Sequence, residues 1–234
     1  MCKWTKMPRL QRRSGVPERR VIPPALAFLL ATWISLGSIA APAHAAAPAP
    51  AAAGVERFVI DPAASEALYR VGETFFNRNN QFNVAIGTTH GIHGEILVDR
   101  AHPSQSRIGP ITVDIGQLTS DSRRRDRAIQ SQWLESSRYP TAVFTPISIN
   151  GLPSAYVDGR AIPVRIAGNL EVRGTTKPVT FAGTVTLNGQ TLTGDATASV
   201  LMTDFGFDPP SLLGFLQAQN QVELEIQFTA QRVP

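Results

Sequence analysis

Few side chains in this sequence are placed to do chemistry, and each candidate has a plainer structural explanation. His90 and His93 suggest a metal centre, but three residues apart in extended chain they point to opposite faces with no clear carboxylate partner. Exposed histidines on a loop around Gly91 and Gly94 are the expectation. Arg123, Arg124, Arg125 and Arg127 could meet an anion, yet Asp121 and Asp126 lie among them. A solvated helix face, with Asp126 tying the segment down, accounts for that run. Asp204-Phe205-Gly206 matches the kinase magnesium triplet in letters only, because no glycine-rich phosphate loop, strand lysine or catalytic-loop motif goes with it. There is no Gly-x-Ser-x-Gly elbow, and no histidine is placed for a Ser-His-Asp set. Glu223 and Glu225 share the wet face of one strand, and Asp114 and Asp195 alternate with apolar neighbours so as to face outward. The polar residues therefore argue for binding over catalysis.

The elements that must position any site are strands. Val164, Ile166, Gly168, Leu170 and Val172 alternate with polar residues, a short turn follows over 174–178, and Val179, Phe181, Gly183, Val185 and Leu187 resume the period of two. That is a β-hairpin with one wet face. Similar alternation runs through Phe82, Val84 and Ile86, through Ile96 and Val98, and through Ile111, Val113 and Ile115. It returns in Leu192 to Met202 and in Val222, Leu224, Ile226 and Phe228. Residues 119–137 lack it and predict one helical insertion, capped by Thr119, Ser120 or Asp121. Pro146 must sit at an edge or bulge, which leaves the direction of Phe144 open. The fold class expected is all-β: an antiparallel up-and-down barrel of about eight strands.

The first 45 residues read as a secretory signal peptide, with a basic run from Lys3 to Arg20, an apolar segment from Ala25 to Ala40 and a small-x-small site at Ala43-His44-Ala45. Residues 46–54 read as a disordered Ala/Pro-rich leader and 55–234 as one domain. Beyond residue 45 there are 15 basic and 17 acidic residues, a formal net charge of −2. Nothing basic remains to attract nucleic acid. The single cysteine, Cys2, lies in the signal, so neither a disulfide nor a thiolate site is expected in the mature chain. The location implied is periplasmic or secreted. An outer-membrane barrel fits poorly, because Trp133, Tyr69, Tyr139 and Tyr156 are too few for aromatic girdles.

A barrel of this size can be filled by its own side chains, but Gly168, Gly183, Gly194, Ala196 and Ala198 at inward positions argue for unfilled space. Phe82, Val84, Ile96, Ile111, Val113, Ile166, Leu170, Phe181, Val185, Leu224 and Ile226 are the expected lining. Such a lumen gains about 0.8 kcal/mol for each CH₂ group it removes from water. A mouth near Arg125 and Asp126 is the expected place for a polar head, a phosphate or a quinone oxygen.

Several motifs carry a resemblance. They are Phe58-Val59-Ile60-Asp61-Pro62 with Ser65, Arg125-Asp126, Trp133-Leu134, Tyr139-Pro140-Thr141-Ala142-Val143-Phe144, the run from Gly168 to Val179, and Asp204-Phe205-Gly206. In this order and spacing the chain resembles the YceI family of secreted, lipocalin-like polyisoprenoid-binding proteins. The resemblance implies a barrel whose apolar lumen holds an isoprenoid-type amphiphilic lipid, a polyprenyl or quinone tail, for carriage or sequestration. It implies no cofactor and no enzymatic activity, and Phe205 would plug one barrel end. The assembly expected is a monomer or a homodimer. Residues 69–89 depart from the family pattern, because they carry Phe75, Phe76 and an Asn-rich loop where a compact second strand is expected. The alternatives are an enzyme using the same pocket, which needs an inward carboxylate or histidine, and a structural or adhesion barrel packed shut.

Overall fold

The computed structural model describes residues 54–212 and 214–234. The expected signal peptide, and all but the last residue of the expected leader, lie outside the described residues. Among those residues one antiparallel sheet contains fourteen strands. They are β1 (Val55–Ile60), β2 (Glu66–Phe75), β3 (Gln81–Thr89), β4 (Ile92–His93), β5 (Glu95–Asp99), β6 (Arg107–Ile108) and β7 (Ile111–Asp114), followed by β8 (Thr119–Ser120), β9 (Thr141–Asn150), β10 (Ala161–Val172), β11 (Thr175–Asn188), β12 (Thr191–Leu201), β13 (Ser211–Leu212) and β14 (Leu216–Val233). Ten of the fourteen are longer than two residues; β4, β6, β8 and β13 are two-residue pieces, too short to leave a periodic signal.

The sheet returns to its starting strand. β9, β10, β11, β12 and β14 pair in that order, and β14 then pairs on its other side with β2 over residues 216–227 and with β1 over 230–233. β2 pairs with β3, whose chain runs on into β4; β4 pairs with β7, and β7 with β9. The expected barrel is thus present. So is the β2–β3 hairpin, across residues 69–89, where the sequence lacked the family's compact strand.

One part of the wall is not strand. Residues 81–86 of β3 are paired only on the β2 side. The gap is covered by the insertion, which holds α1 (Arg123–Ala128) and a π-helical turn at Ile129–Trp133. Ile115, Leu118 and Ala142 are buried together there, with Tyr69, Leu134 and Val172 packed on them. The N-cap is Ser122, one residue after the expected candidates, and its Oγ accepts a hydrogen bond from the Arg125 amide at 3.4 Å. Ser120 Oγ instead accepts from the Ser122 amide at 3.2 Å while its hydroxyl donates to Asp126 Oδ1 at 2.6 Å.

The organising hairpin is tighter than the sequence suggested. Arg173 and Gly174, with φ of 52° and 73°, form a two-residue turn, and β11 begins at Thr175. Pro178 therefore lies within a strand. It is tolerated because β12 pairs with β11 only from Ala182 onward, which leaves an unpaired edge at the proline. Pro146 sits at a bulge, where the β9–β10 register shifts and Ile147 is left exposed.

The inward glycines do not leave the space they suggested. A Cβ at Gly183 would lie 1.9 Å from the Asp195 carbonyl oxygen and 2.6 Å from Ala196 Cα, because β11 and β12 approach closely there. Gly168 is covered by the Phe144 ring and Gly194 by the Phe228 ring. Gly183→Ala should therefore lower stability by about 2 kcal/mol, a fall in Tm of roughly 4–8 °C, because backbone must move to admit the methyl. A calorimetric scan of the variant checks this, and an unchanged Tm would refute the close approach.

Candidate functional site

Among the described residues, cavities of about 180 Å³ and about 100 Å³ lie inside the barrel. Both walls are almost wholly apolar. Ile111, Phe144, Phe181 and Ile226 line both cavities. Phe144 and Phe181 meet edge to face, with centroids 4.9 Å apart, and form the partition between them. A dry cavity of about 150 Å³ is enough to admit a benzene-sized apolar group.

Period-two alternation explains most of the lining. Ile111, Val113, Leu170, Phe181, Leu224 and Ile226 line the larger cavity. Ile96, Ile166 and Val185 join Ile111, Phe181 and Ile226 around the smaller one. Phe144, whose direction the sequence left open, is buried and points inward. Phe205 is buried and lines the larger cavity.

Two expected lining residues are on the wrong face. Phe82 and Val84 are 56% and 44% exposed and line neither cavity. In β3 the inward positions are Ala85, Gly87 and Thr89, all buried, and the apolar residues alternate outward. The physical reason is crowding. Tyr69, directly opposite Gly87 on β2, lays its ring across that glycine, so small residues are needed on the inner side of β3.

The polar corner of the larger cavity came mostly from residues the sequence reading passed over. Tyr69, Glu73, Thr89 and Arg125 line it. Glu73 is buried and opposes Arg125: Nε donates to Oε1 at 3.3 Å and Nη2 to Oε2 at 2.8 Å. Arg125 Nη1 also reaches Ser120 Oγ at 3.2 Å and pairs with Asp121. Burial alone would lower the Arg125 pKa, but the bonds to Glu73 and Asp121 outweigh it and hold the guanidinium above its ordinary value. Arg125 therefore lies at the cavity, as expected for a head-group residue, but every nitrogen of its fork is engaged by protein. Asp126 does not line either cavity and accepts from Ser120, which is the tying-down role expected of it. The signal for Tyr69 and Glu73 was parity with Val71. It was obscured because Glu73 is charged and because apolar Leu68, at the opposite parity, is also buried and borders the cavity.

Among the described residues no three His, Cys, Asp or Glu side chains gather as a metal site. His90 and His93 are exposed, and His90 Nδ1 lies 2.7 Å from the Ser65 carbonyl oxygen. Glu225, which also borders the larger cavity, is held below the ordinary carboxylate range by hydrogen bonds from Gln227 and Arg70. Asp195 is exposed, as expected.

Comparison with known proteins agrees with the architecture. A family model described as YceI-like domain matches residues 58–230. A UPF0312 protein from Pseudomonas putida is 30% identical over 131 residues, which is 53% of this chain and 64% of that relative. Protein YceI from Salmonella arizonae is 28% identical over 96 residues, 41% of this chain and 46% of its own length. Among solved structures, BcnA from Burkholderia cenocepacia superposes with a TM-score of 0.57 at 19% identity, over 74% of this chain and 99% of its own. A polyisoprenoid binding domain from Saccharophagus degradans, implicated in plant cell wall breakdown, gives 0.55 at 9% identity, over 76% and 99%. At these identities the two structures speak for the fold alone.

Proposed function

We infer the function from the premise that the chain belongs to the YceI-like domain family. The protein is a binding protein, not an enzyme, whose barrel holds an isoprenoid-type lipid by its tail for carriage or sequestration in the periplasm or outside the cell. The observation that carries this reading is the pair of adjoining apolar cavities that share Ile111, Phe144, Phe181 and Ile226 as wall, with Phe144 and Phe181 in edge-to-face contact between them. Such walls reward removal of hydrocarbon from water without directed bonds. The polyisoprenoid-binding relative of like fold supports the ligand class. The basic run and apolar segment before Ala45 support export, and the protein works as a monomer or homodimer.

An enzyme in this pocket would need an inward acid or base, and Glu73 is the one buried carboxylate in the larger cavity's wall. Both its oxygens accept from Arg125, which commits the carboxylate to an ion pair within the wall. The test is native mass spectrometry with organic extraction of the full chain expressed in a bacterial host. A discrete added mass that extracts as a prenyl lipid is the expected result. An empty, well-folded protein would reject the carrier reading in favour of a closed structural barrel.

A further inference from the structure

Tyr69 is the polar group of the larger cavity that the wall itself does not use. Its hydroxyl is buried, yet it has no hydrogen-bond partner among the described residues. Its place is set by the backbone opposite. A Cβ at Gly87 would lie 2.3 Å from Tyr69 Cε1 and 2.8 Å from the hydroxyl oxygen, so only glycine lets the ring cross β3 at this height. A buried hydroxyl without a protein partner is a departure from the usual rule, and here it stands at a cavity large enough to bring one.

The surrounding charges say what kind of atom. Arg125 is the one cation acting on the hydroxyl, against Asp126, Glu73 and Asp121. The Arg125 fork is already engaged by Glu73, Asp121 and Ser120. Arg123, Arg124 and Arg127 are on the solvent side of α1. A phosphate brought to this corner would meet an excess of negative charge and no free guanidinium fork. Burial pushes the Tyr69 hydroxyl well above its ordinary value, so at neutral pH it carries its proton and can donate.

We propose that Tyr69 donates a hydrogen bond to the ligand's head, and that this head is a neutral acceptor such as a quinone carbonyl, with phosphate heads excluded. The proposal rests on the reading that the cavities hold an isoprenoid-type tail. With the head at Tyr69, the tail extends past the Phe144–Phe181 partition toward the smaller cavity.

The test uses three probes with the same number of isoprene units: a prenylated benzoquinone, a prenyl monophosphate and the headless prenyl hydrocarbon. Each is titrated into delipidated full-length protein and followed by isothermal titration calorimetry. The wild type should bind the quinone at least about tenfold tighter than the phosphate, and Tyr69→Phe should weaken the quinone by about five- to tenfold while leaving the hydrocarbon within about twofold. That selective loss separates a head-group contact from a packing role, because the ring is kept in both proteins. Equal quinone binding by Tyr69→Phe, or tighter binding of the phosphate, overturns the proposal and leaves the lipid-barrel reading standing. Failure of all three probes to bind the wild type overturns both.

Discussion

Phe181→Ala should cost the lipid-free protein about 3–4 kcal/mol of folding free energy, to be read as a shift in urea midpoint at unchanged m value. The ring is 4% exposed, lines both cavities and meets Phe144 edge to face. Its loss removes buried apolar area and an aromatic contact, and joins two voids into one that rigid strands cannot collapse. The expected loss sits toward the lower end for a buried phenylalanine, because part of the ring already faces empty space and so has fewer contacts to lose. Binding should respond in the opposite sense: a prenyl tail can fill the joined cavity, so saturating lipid restores more stability to Phe181→Ala than to the wild type. A loss below about 1 kcal/mol would mean that the ring does not form the partition.

The second large effect belongs to the corner pair. Arg125→Met should destabilise by about 3 kcal/mol, because Glu73 is left buried without its guanidinium partner. The same change removes the link between β2 and the insertion that covers the unpaired edge of β3. Residues 119–138 should accordingly become the first site of limited proteolysis in the variant. Glu73→Gln should cost less, since Arg125 keeps Asp121 and Ser120. The double replacement Glu73→Leu with Arg125→Met should recover most of the loss, as apolar pairs of similar volume do in other interiors. A double mutant no better than Arg125→Met alone would show that the pair is not the source of the effect.

Much of the wall was legible because one-sided burial forces a period of two. Leu170, Phe181, Leu224 and Ile226 lie where alternation put them, on the inner face of long strands with a wet outer side. The same rule misled at β3. Phe82 and Val84 alternate as well as any strand, but periodicity names two faces without saying which is inner. The Tyr69 ring decided it, by occupying the inner side at Gly87. Glycines were similarly ambiguous. A small residue is compatible with empty space, with a close backbone approach and with an overlying ring, and at Gly183, Gly168 and Gly194 the latter two hold.

What the sequence by itself determined is therefore the strand class, the barrel, the helical insertion and most of the apolar lining, since these follow from local alternation and its interruption. The motif order also placed the family. What only the tertiary structure decided is the polar corner and the partition. Glu73 and Arg125 are 52 residues apart, and Phe144 and Phe181 come from strands that β10 separates. No local pattern reports such meetings, because they depend on how far the sheet curls before its first and last strands touch, and that is settled by the packing of every wall residue together.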